Sequence, residues 1–291
     1  MAIFHSWNQI GSLLRRLTAA GPLVQPSVAT ASVERLRRAH VWAQPRVAKL
    51  SGLENVTAAE LDVPMRVVDR FGLIASICQT LDASRGEARH GALPTFIALS
   101  GTAVLWRMAP TIQSFQTFGD RPTMLLVAPN VLQVSNKLSL DQNDYAKWVA
   151  LRAGIWSLYF QRATWLPAYE MRQLDNLPRS AGEIARNLVL LSQLVDARLM
   201  AVTAQEISSV HWIRRHHPRP GLTQAAEQLW RARSTPPDVH SLGQQARSFI
   251  AETKLNKDPQ LLDALLASPD CFPTENELAQ PHEWLRRMNG F

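Results

Sequence analysis

Cysteine is scarce in this chain of 291 residues, which contains Cys78, Cys271 and no Cys-x-x-Cys spacing. Two cysteines this far apart do not predict a disulfide framework. The absence of a Cys-x-x-Cys pair also excludes the usual sequence pattern of a zinc ribbon. Cys78 lies in a mostly apolar stretch. That setting favours a buried thiol over a reactive one.

Long uncharged apolar runs are also absent. The longest apolar stretch, residues 96–106, contains Ser100, Gly101 and Thr102, and it is too short for the roughly 20 residues that a bilayer-spanning helix needs. The first residues carry no basic segment, and polar side chains interrupt any hydrophobic run that follows, which is not the pattern of a secretory signal. We therefore expect a cytoplasmic protein with no membrane span.

Lysine is scarce, and the 31 basic residues, which are mostly arginines, exceed the 24 acidic ones, so the formal net charge is +7 and the isoelectric point about 10.0. The arginines are dispersed in small groups along the chain: 15–16, 35–38, 214–215 and 286–287. Dispersed arginines are typical of solvated helix faces and disfavour a nucleic-acid interface. Binding to nucleic acid or to an anionic membrane stays an alternative suggested by charge alone, which a contiguous arginine face would favour.

Several catalytic motifs are missing. No Gly-x-Ser-x-Gly or glycine-rich phosphate loop occurs, and no two histidines are four residues apart, which excludes the familiar signatures of serine hydrolases, phosphate binders and helical zinc sites. His211 with His216 or His217 is the nearest grouping, followed by Pro218. We interpret these side chains as imidazoles near free carbonyls at a helix end rather than as metal ligands.

Helical periodicity dominates what is present, and we predict one mainly α domain over residues 1–291 with a small strand element. Met124–Val127 is predicted as a buried strand. Further predictions are a Thr57–Glu60 capping box and an N-cap at Asp141. Pro45 should end or kink the second helix. The helices are predicted near residues 6–20, 27–45, 67–81, 93–118, 130–138, 141–160, 180–211, 223–233, 241–253, 259–267 and 281–288, with a polar loop over 84–91.

Several segments together resemble a known family. They are Ala20-Gly21-Pro22, Val67-Val68-Asp69-Arg70, Leu125-Leu126-Val127-Ala128-Pro129-Asn130, Tyr145-Ala-Lys-Trp148-Val149, Phe160 with Trp165-Leu166, and the tail from Ser268 to Arg286. In this order and spacing they are similar to actinobacterial zincin-like proteins described as zinc-dependent metallopeptidases or hydrolases. Some members carry a name that links them to deazaflavin-coenzyme biosynthesis. The resemblance implies a zincin-like fold over nearly the whole chain.

The departures from this family lie at its metal site. Where the family has His-Glu-x-x-His, this chain has Arg152 and Ala153 at the first two positions and Trp156 at the second histidine. The glutamate of the third-ligand region falls on Ala204, although a small shift would bring Glu206 near the site, and residues 105–108 replace a Leu-Gly-Gln-Tyr-like stretch.

Zinc needs a neutral imidazole, a thiolate or a carboxylate, and the general base needs a carboxylate. A guanidinium about 4 Å from a dication would be repelled by ~8 kcal/mol at an effective dielectric constant of about 20. We therefore predict no catalytic residue, no metal and no cofactor at these positions. The expected function is that of a catalytically inactive zincin-like protein with a binding or regulatory role. The alternative is a hydrolase with relocated or non-zinc chemistry.

One hypothesis concerns what replaces the metal. Arg152 and Trp156 are one helical turn apart, so the guanidinium can stack on the indole while Glu206 neutralises it. The alternative is that Arg152 extends into solvent and Trp156 is a core residue. Trp165 and Tyr169 are candidate contacts for an unknown protein partner, with core packing as the alternative role.

Overall fold

The computed structural model of this chain describes residues 6–85, 109–118, 121–175, 180–218 and 239–289. Helices dominate the described residues, so the predicted mainly α fold with a small strand element is confirmed. The helices are α1 (Trp7–Leu17), α2 (Pro26–Ser51), α3 (Ala58–Leu61), α4 (Arg70–Arg85), α5 (Ala128–Lys137), α6 (Gln142–Arg162), α7 (Leu166–Asp175), α8 (Ala181–Leu199), α9 (Val210–His216), α10 (Val239–Thr253), α11 (Pro259–Ala267), α12 (Glu275–Ala279) and α13 (Pro281–Met288). None of these helices is long and apolar enough to cross a bilayer.

A three-stranded sheet has the order β1 (Met65–Val68), β3 (Met124–Val127), β2 (Ser114–Gln116). The central strand β3 runs parallel to β1 and antiparallel to β2. All four of its residues are buried, which explains why this strand reads as an unbroken apolar run rather than as an alternation. The predicted strand is therefore confirmed.

Two further strands were not predicted. β1 includes the start of a predicted helix at Val67, and β2 falls within the helix predicted over 93–118; both predictions were wrong at these residues. The edge strands are three and four residues long and only half-buried. Such short segments carry no periodicity of their own, and pairing with β3 decides their conformation.

The chain divides into two compact units. Unit 1 comprises residues 1–44, 63–154 and 202–225, and unit 2 comprises residues 45–62, 155–201 and 226–291. The sheet, α1, α4, α5 and α9 belong to unit 1, whereas α7, α8 and α10 to α13 belong to unit 2. The expectation of one domain over residues 1–291 stays a prediction.

Two of the predicted helices end at other residues than expected. Pro45 lies inside α2, which continues to Ser51; the proline removes one hydrogen bond to the carbonyl of Val41, an exposed residue whose carbonyl water can solvate. The predicted helix over 180–211 ends at Leu199, and turns lead to α9. The predicted elements over 86–108 and 223–233 lie outside the described residues.

The N-terminal helix α1 has a side-chain cap and packs against α4. The Ser6 side chain accepts a hydrogen bond from the Gln9 amide, and Asp82 of α4 accepts from the amides at the start of α1. A buried cluster joins the two helices and includes Cys78, whose pKa burial raises to about 12. The buried thiol was predicted. Leu13 and Leu17 of α1 are exposed.

Arg70 brings three separate sequence landmarks of unit 1 together. Its Nε donates to Asn130 Oδ1 at 2.6 Å, and its Nη1 donates to the Ala19 carbonyl at 3.1 Å. Asn130 Nδ2 in turn donates to two backbone carbonyls before β2. Gly21 packs so closely on Pro129 that an added Cβ would lie 2.7 Å from the proline Cβ. The segments 20–22, 67–70 and 125–130, distant in sequence, thus form one buried contact network.

Candidate functional site

Helix α6 carries the positions at which the resembled family binds zinc. Asp141 begins the helix, because its side chain accepts hydrogen bonds from the amides of Asn143 and Asp144; this N-cap was predicted. Arg152, Ala153 and Trp156 all lie in the helix interior and are 5 %, 3 % and 8 % exposed. The substituted residues are therefore core residues, and Arg152 is a buried cation.

A cluster of aromatic and polar side chains in unit 1 includes two residues of the same helix, one to two turns before Arg152. The Tyr145 hydroxyl donates to Gln113 Oε1 at 2.8 Å and lies 3.2 Å from His217 Nδ1. The His217 ring centroid is 5.9 Å from that of Tyr145 and 6.0 Å from that of Trp148. We call Gln113, Tyr145, Trp148 and His217 the His217 cluster.

The contacts of this cluster orient the ring of His217. The Tyr145 hydroxyl, which donates to Gln113, lies beside Nδ1 of the imidazole. His217 is thereby held as an oriented imidazole.

Electrostatics keep this imidazole neutral. Burial and the positive charge of Arg152 lower the pKa of His217 to about 3. Burial raises the pKa of the Tyr145 phenol, while its hydrogen bond to Gln113 and the charge of Arg152 act in the opposite direction. Both groups are neutral at physiological pH, and Arg152 supplies the positive charge that both of them feel.

Backbone and side-chain contacts at the start of α6 hold His217 in place. Asp144 Oδ2 accepts hydrogen bonds from the backbone amide and from the hydroxyl of Ser209, both at 2.9 Å. These two bonds anchor the residue that precedes α9. Trp212 Nε1 donates to the Leu138 carbonyl at 3.3 Å. Because α9 is only seven residues long, these anchors bring its C-cap residue, His217, back to Tyr145 and Trp148.

The hypotheses about Arg152 have different outcomes. Because Arg152 is buried, the alternative in which its side chain extends into solvent is wrong. Trp156 is a core residue whose ring stacks on Phe160 with centroids 5.4 Å apart. Glu206 Oε2 accepts locally from the amide and hydroxyl of Thr203. Contacts of Arg152 with Trp156 and with Glu206 stay predictions.

Zinc, which the resemblance implies, does not fit the residues at these positions. Arg152 contributes a buried positive charge, the methyl group of Ala153 cannot act as a base, and Trp156 offers no ligand lone pair. His217 would be a single imidazole ligand. Within the described part of the chain, no three histidine, cysteine, aspartate or glutamate side chains form a group that could hold a metal ion.

Sequence reasoning found some of these roles and missed others. His216 contacts the Trp212 carbonyl at 2.9 Å and stacks on its ring, as expected for a histidine at a helix end. His217 was given the same role and instead enters the cluster. Tyr145 and Trp148 are three residues apart on one helix face, and this spacing was a sequence signal for an aromatic environment at that face. Nothing in the sequence indicated that Gln113 belongs to the cluster.

The two proposed partner contacts pack within unit 2. Trp165 Nε1 donates to the Leu266 carbonyl at 2.8 Å, and its ring makes edge contacts with Phe272 and Tyr169. The Tyr169 hydroxyl donates to Glu183. These contacts favour the alternative role in core packing.

Comparisons with known proteins agree with the fold and with the region of the site. Residues 101–209 match the model of a family described as Zincin-like metallopeptidase. A solved structure from Chloroflexus aurantiacus, described as a candidate hydrolase with a novel fold, is similar over 99 % of both chains, with a TM-score of 0.67 and 16 % identity. No curated protein matches the sequence. The matches support a zincin-like family, and the structural similarity shows the fold.

Proposed function

We propose that this protein is a catalytically inactive zincin-like protein with a binding or regulatory role, and we keep a cytoplasmic location as part of the proposal. The observation that carries the proposal is the buried guanidinium of Arg152 at the first ligand position. A metallopeptidase needs a dication, two imidazoles and a base carboxylate on this helix. A permanent cation, a methyl group and an indole offer none of these.

The electrostatics of the neighbouring groups support the same reading. Arg152 is close enough to depress the pKa of His217, so a positive charge already occupies this region. His217 and Tyr145 are held neutral by burial and hydrogen bonding rather than set near the working pH, as a general acid or base would be. The arrangement fits a rigid helical scaffold better than a site for proton transfer.

Metal analysis of the purified full-length protein, beside a peptidase assay, tests the catalytic half of the proposal. We expect far less than one zinc per chain and no cleavage of unstructured peptides above the buffer rate. One zinc per chain that disappears in Arg152→Met, Trp156→Phe or Glu206→Gln would overturn the proposal. Zinc that stays in all three variants would also overturn it.

The alternative is a hydrolase with non-zinc chemistry, and one observation makes it testable. Burial and the charge of Arg152 keep His217 neutral, and a neutral imidazole has one unprotonated nitrogen, which is the form that a base requires. Peptide or ester hydrolysis that survives chelation and is abolished by His217→Gln, but not by His282→Gln, would favour this alternative. We expect neither variant to differ from the unsubstituted protein.

The proposed binding role predicts a ligand that binds to the protein and is not cleaved. We expect unstructured peptides that bind to raise the melting temperature of the full chain while mass spectrometry finds them intact, because selective binding to the folded state stabilises it. Cleavage of a stabilising peptide would contradict the proposed inactivity. No stabilisation by any member of a peptide library would contradict a role in peptide binding.

A further inference from the structure

An uncharged, exposed segment joins α1 to the first turns of α2 in unit 1. Residues 17–31, called here the apolar tip, contain no charged side chain. Within it Leu17 is 59 % exposed and Leu23 is fully exposed, and Val24 and Val28 are exposed as well. Every residue from 23 to 31 is exposed. Several exposed apolar side chains within one short uncharged segment make it a candidate interaction site.

The fold holds this segment in its exposed position. Arg70, itself 3 % exposed, donates to the Ala19 carbonyl. Gly21 has φ +127°, which favours glycine, and packs on Pro129. On α1, Ile10 and Leu14 are fully buried against α4. Leu13 and Leu17, at the edge of this buried face, stay 41 % and 59 % exposed.

The geometry of the apolar tip favours a lipid surface over a groove on another protein. Residues 26–31 form more than one full turn at the start of α2, and all of them are exposed, so no side of the helix is covered. A protein groove covers one side of a helix. The headgroup region of a bilayer contacts a protruding helix start from several sides and stays wet enough to bind its free amides, while apolar side chains enter the acyl boundary.

The charges beside the tip favour an anionic lipid surface. Arg15 and Arg16 are exposed at the end of α1, next to the apolar tip. No acidic residue precedes Glu34, and Glu34 is paired with Arg37. Basic side chains next to a shallow apolar insertion are the combination that binds anionic membranes, since either element alone binds weakly.

From this juxtaposition we propose that the apolar tip, with Arg15 and Arg16, docks unit 1 on the surface of an anionic lipid bilayer. Leu17, Leu23, Val24 and Val28 enter the interface while the two arginines meet lipid phosphates or carboxylates. The docking is peripheral and reversible. It does not depend on the proposed lack of catalysis, because it uses other residues.

Sedimentation of the full-length protein with vesicles tests this proposal. One set of vesicles is phosphatidylcholine, and the other is an equal mixture of phosphatidylcholine and phosphatidylserine. We expect binding to the mixed vesicles, little binding to the neutral ones, and weakening by salt. Leu23→Gln should weaken binding about tenfold or more, and Arg15→Gln with Arg16→Gln about fivefold for each arginine removed.

Two exposed residues elsewhere serve as matched controls. Met200→Gln removes an apolar side chain that is 63 % exposed outside the tip. Arg38→Gln removes a charge that lies ~18 Å along α2 from Pro26, beyond the Debye length of about 8 Å at physiological salt. Neither change should alter vesicle binding, and melting temperatures verify that all variants are folded.

Three outcomes would overturn the proposal. The first is no binding to either kind of vesicle. The second is equal weakening by the tip variants and the controls. The third is self-association of the protein, seen by analytical ultracentrifugation and lost in Leu23→Gln, without vesicle binding; the tip would then be a contact between copies of the chain.

Discussion

At the residue scale, the position that the family resemblance assigns to the first metal ligand holds a buried cation, and a neutral imidazole is close enough to be affected by its charge. Arg152 sits where a histidine would hold zinc, and His217 lies close enough to feel its charge. A buried guanidinium keeps its proton at any physiological pH, whereas an imidazole does not. The titration of His217 is therefore the measurable signature of this site.

Acidification should destabilise the protein through His217. The pKa of His217 is about 3 in the folded state and about 6.5 in the unfolded chain. Below about pH 6.5 the unfolded chain therefore binds a proton that the folded chain does not bind. The free energy of unfolding falls as the pH is lowered towards 3. Replacing His217 with Gln removes this contribution. Between about pH 7 and pH 5, urea unfolding should show a loss of stability smaller by at most about 2 kcal/mol in the variant. The same change at exposed His282 should leave the pH dependence unaltered, and parallel curves for both variants would contradict the assignment.

Arg152 should act on His217 through charge. Arg152→Met keeps a long side chain and removes the positive charge, so the pKa of His217 should rise. It should stay below 6.5 because burial, the larger cause of the shift, remains. The imidazole resonances in an NMR titration measure this value. An unchanged pKa would mean that Arg152 does not face the ring.

At the element scale, the loop after α1 depends on a conformation that only glycine adopts freely. Gly21→Ala places a Cβ at positive φ and 2.7 Å from Pro129, and we expect a loss of about 1–3 kcal/mol in the free energy of unfolding. Gly243→Ala is a control of opposite sign, because α10 has room for a Cβ there and alanine favours a helix by about 0.5–1 kcal/mol. Equal effects of the two changes in urea unfolding would contradict this account.

The convergence of α4, α5 and the loop after α1 rests on Arg70. Arg70→Met leaves Asn130 Oδ1, Gln133 Oε1 and the Ala19 carbonyl without their donor, and we expect a loss of about 2–4 kcal/mol. Arg66→Met on the exposed side of β1 should cost less than about 0.5 kcal/mol. Urea unfolding of both variants measures the difference, and similar losses would show that Arg70 is not a special contact.

At the scale of the whole molecule, stability should be independent of zinc. A metal that binds the folded state raises the melting temperature by mass action, and its removal lowers it. We expect EDTA, or an equimolar amount of zinc, to leave the melting temperature of the full chain unchanged. A fall with EDTA that zinc reverses would reveal a structural metal and contradict the proposed replacement of the site.

Local sequence signals predicted the elements whose conformation is decided locally. Asp141 and Thr57 are N-caps because their side chains satisfy nearby amides. The bounds of α11 and α13 follow from prolines at their starts, and they match the predicted bounds at 259–267 and 281–288. β3 was predictable because both of its faces are buried. β1 and β2 were not, because their pairing partner lies far away in the sequence.

The sequence by itself determined that this chain has no His-Glu-x-x-His motif and that Arg152, Ala153 and Trp156 offer no zinc ligand, since charge, bulk and the absence of a lone pair are properties of these side chains wherever they lie. It also determined a helical chain with one buried strand, because periodicity and capping act over a few residues. Only the tertiary structure decided that Arg152 is buried, that His217 enters the cluster, and that the leucines beside Gly21 face outward. Burial depends on which distant segments pack together, and no local pattern specifies that packing.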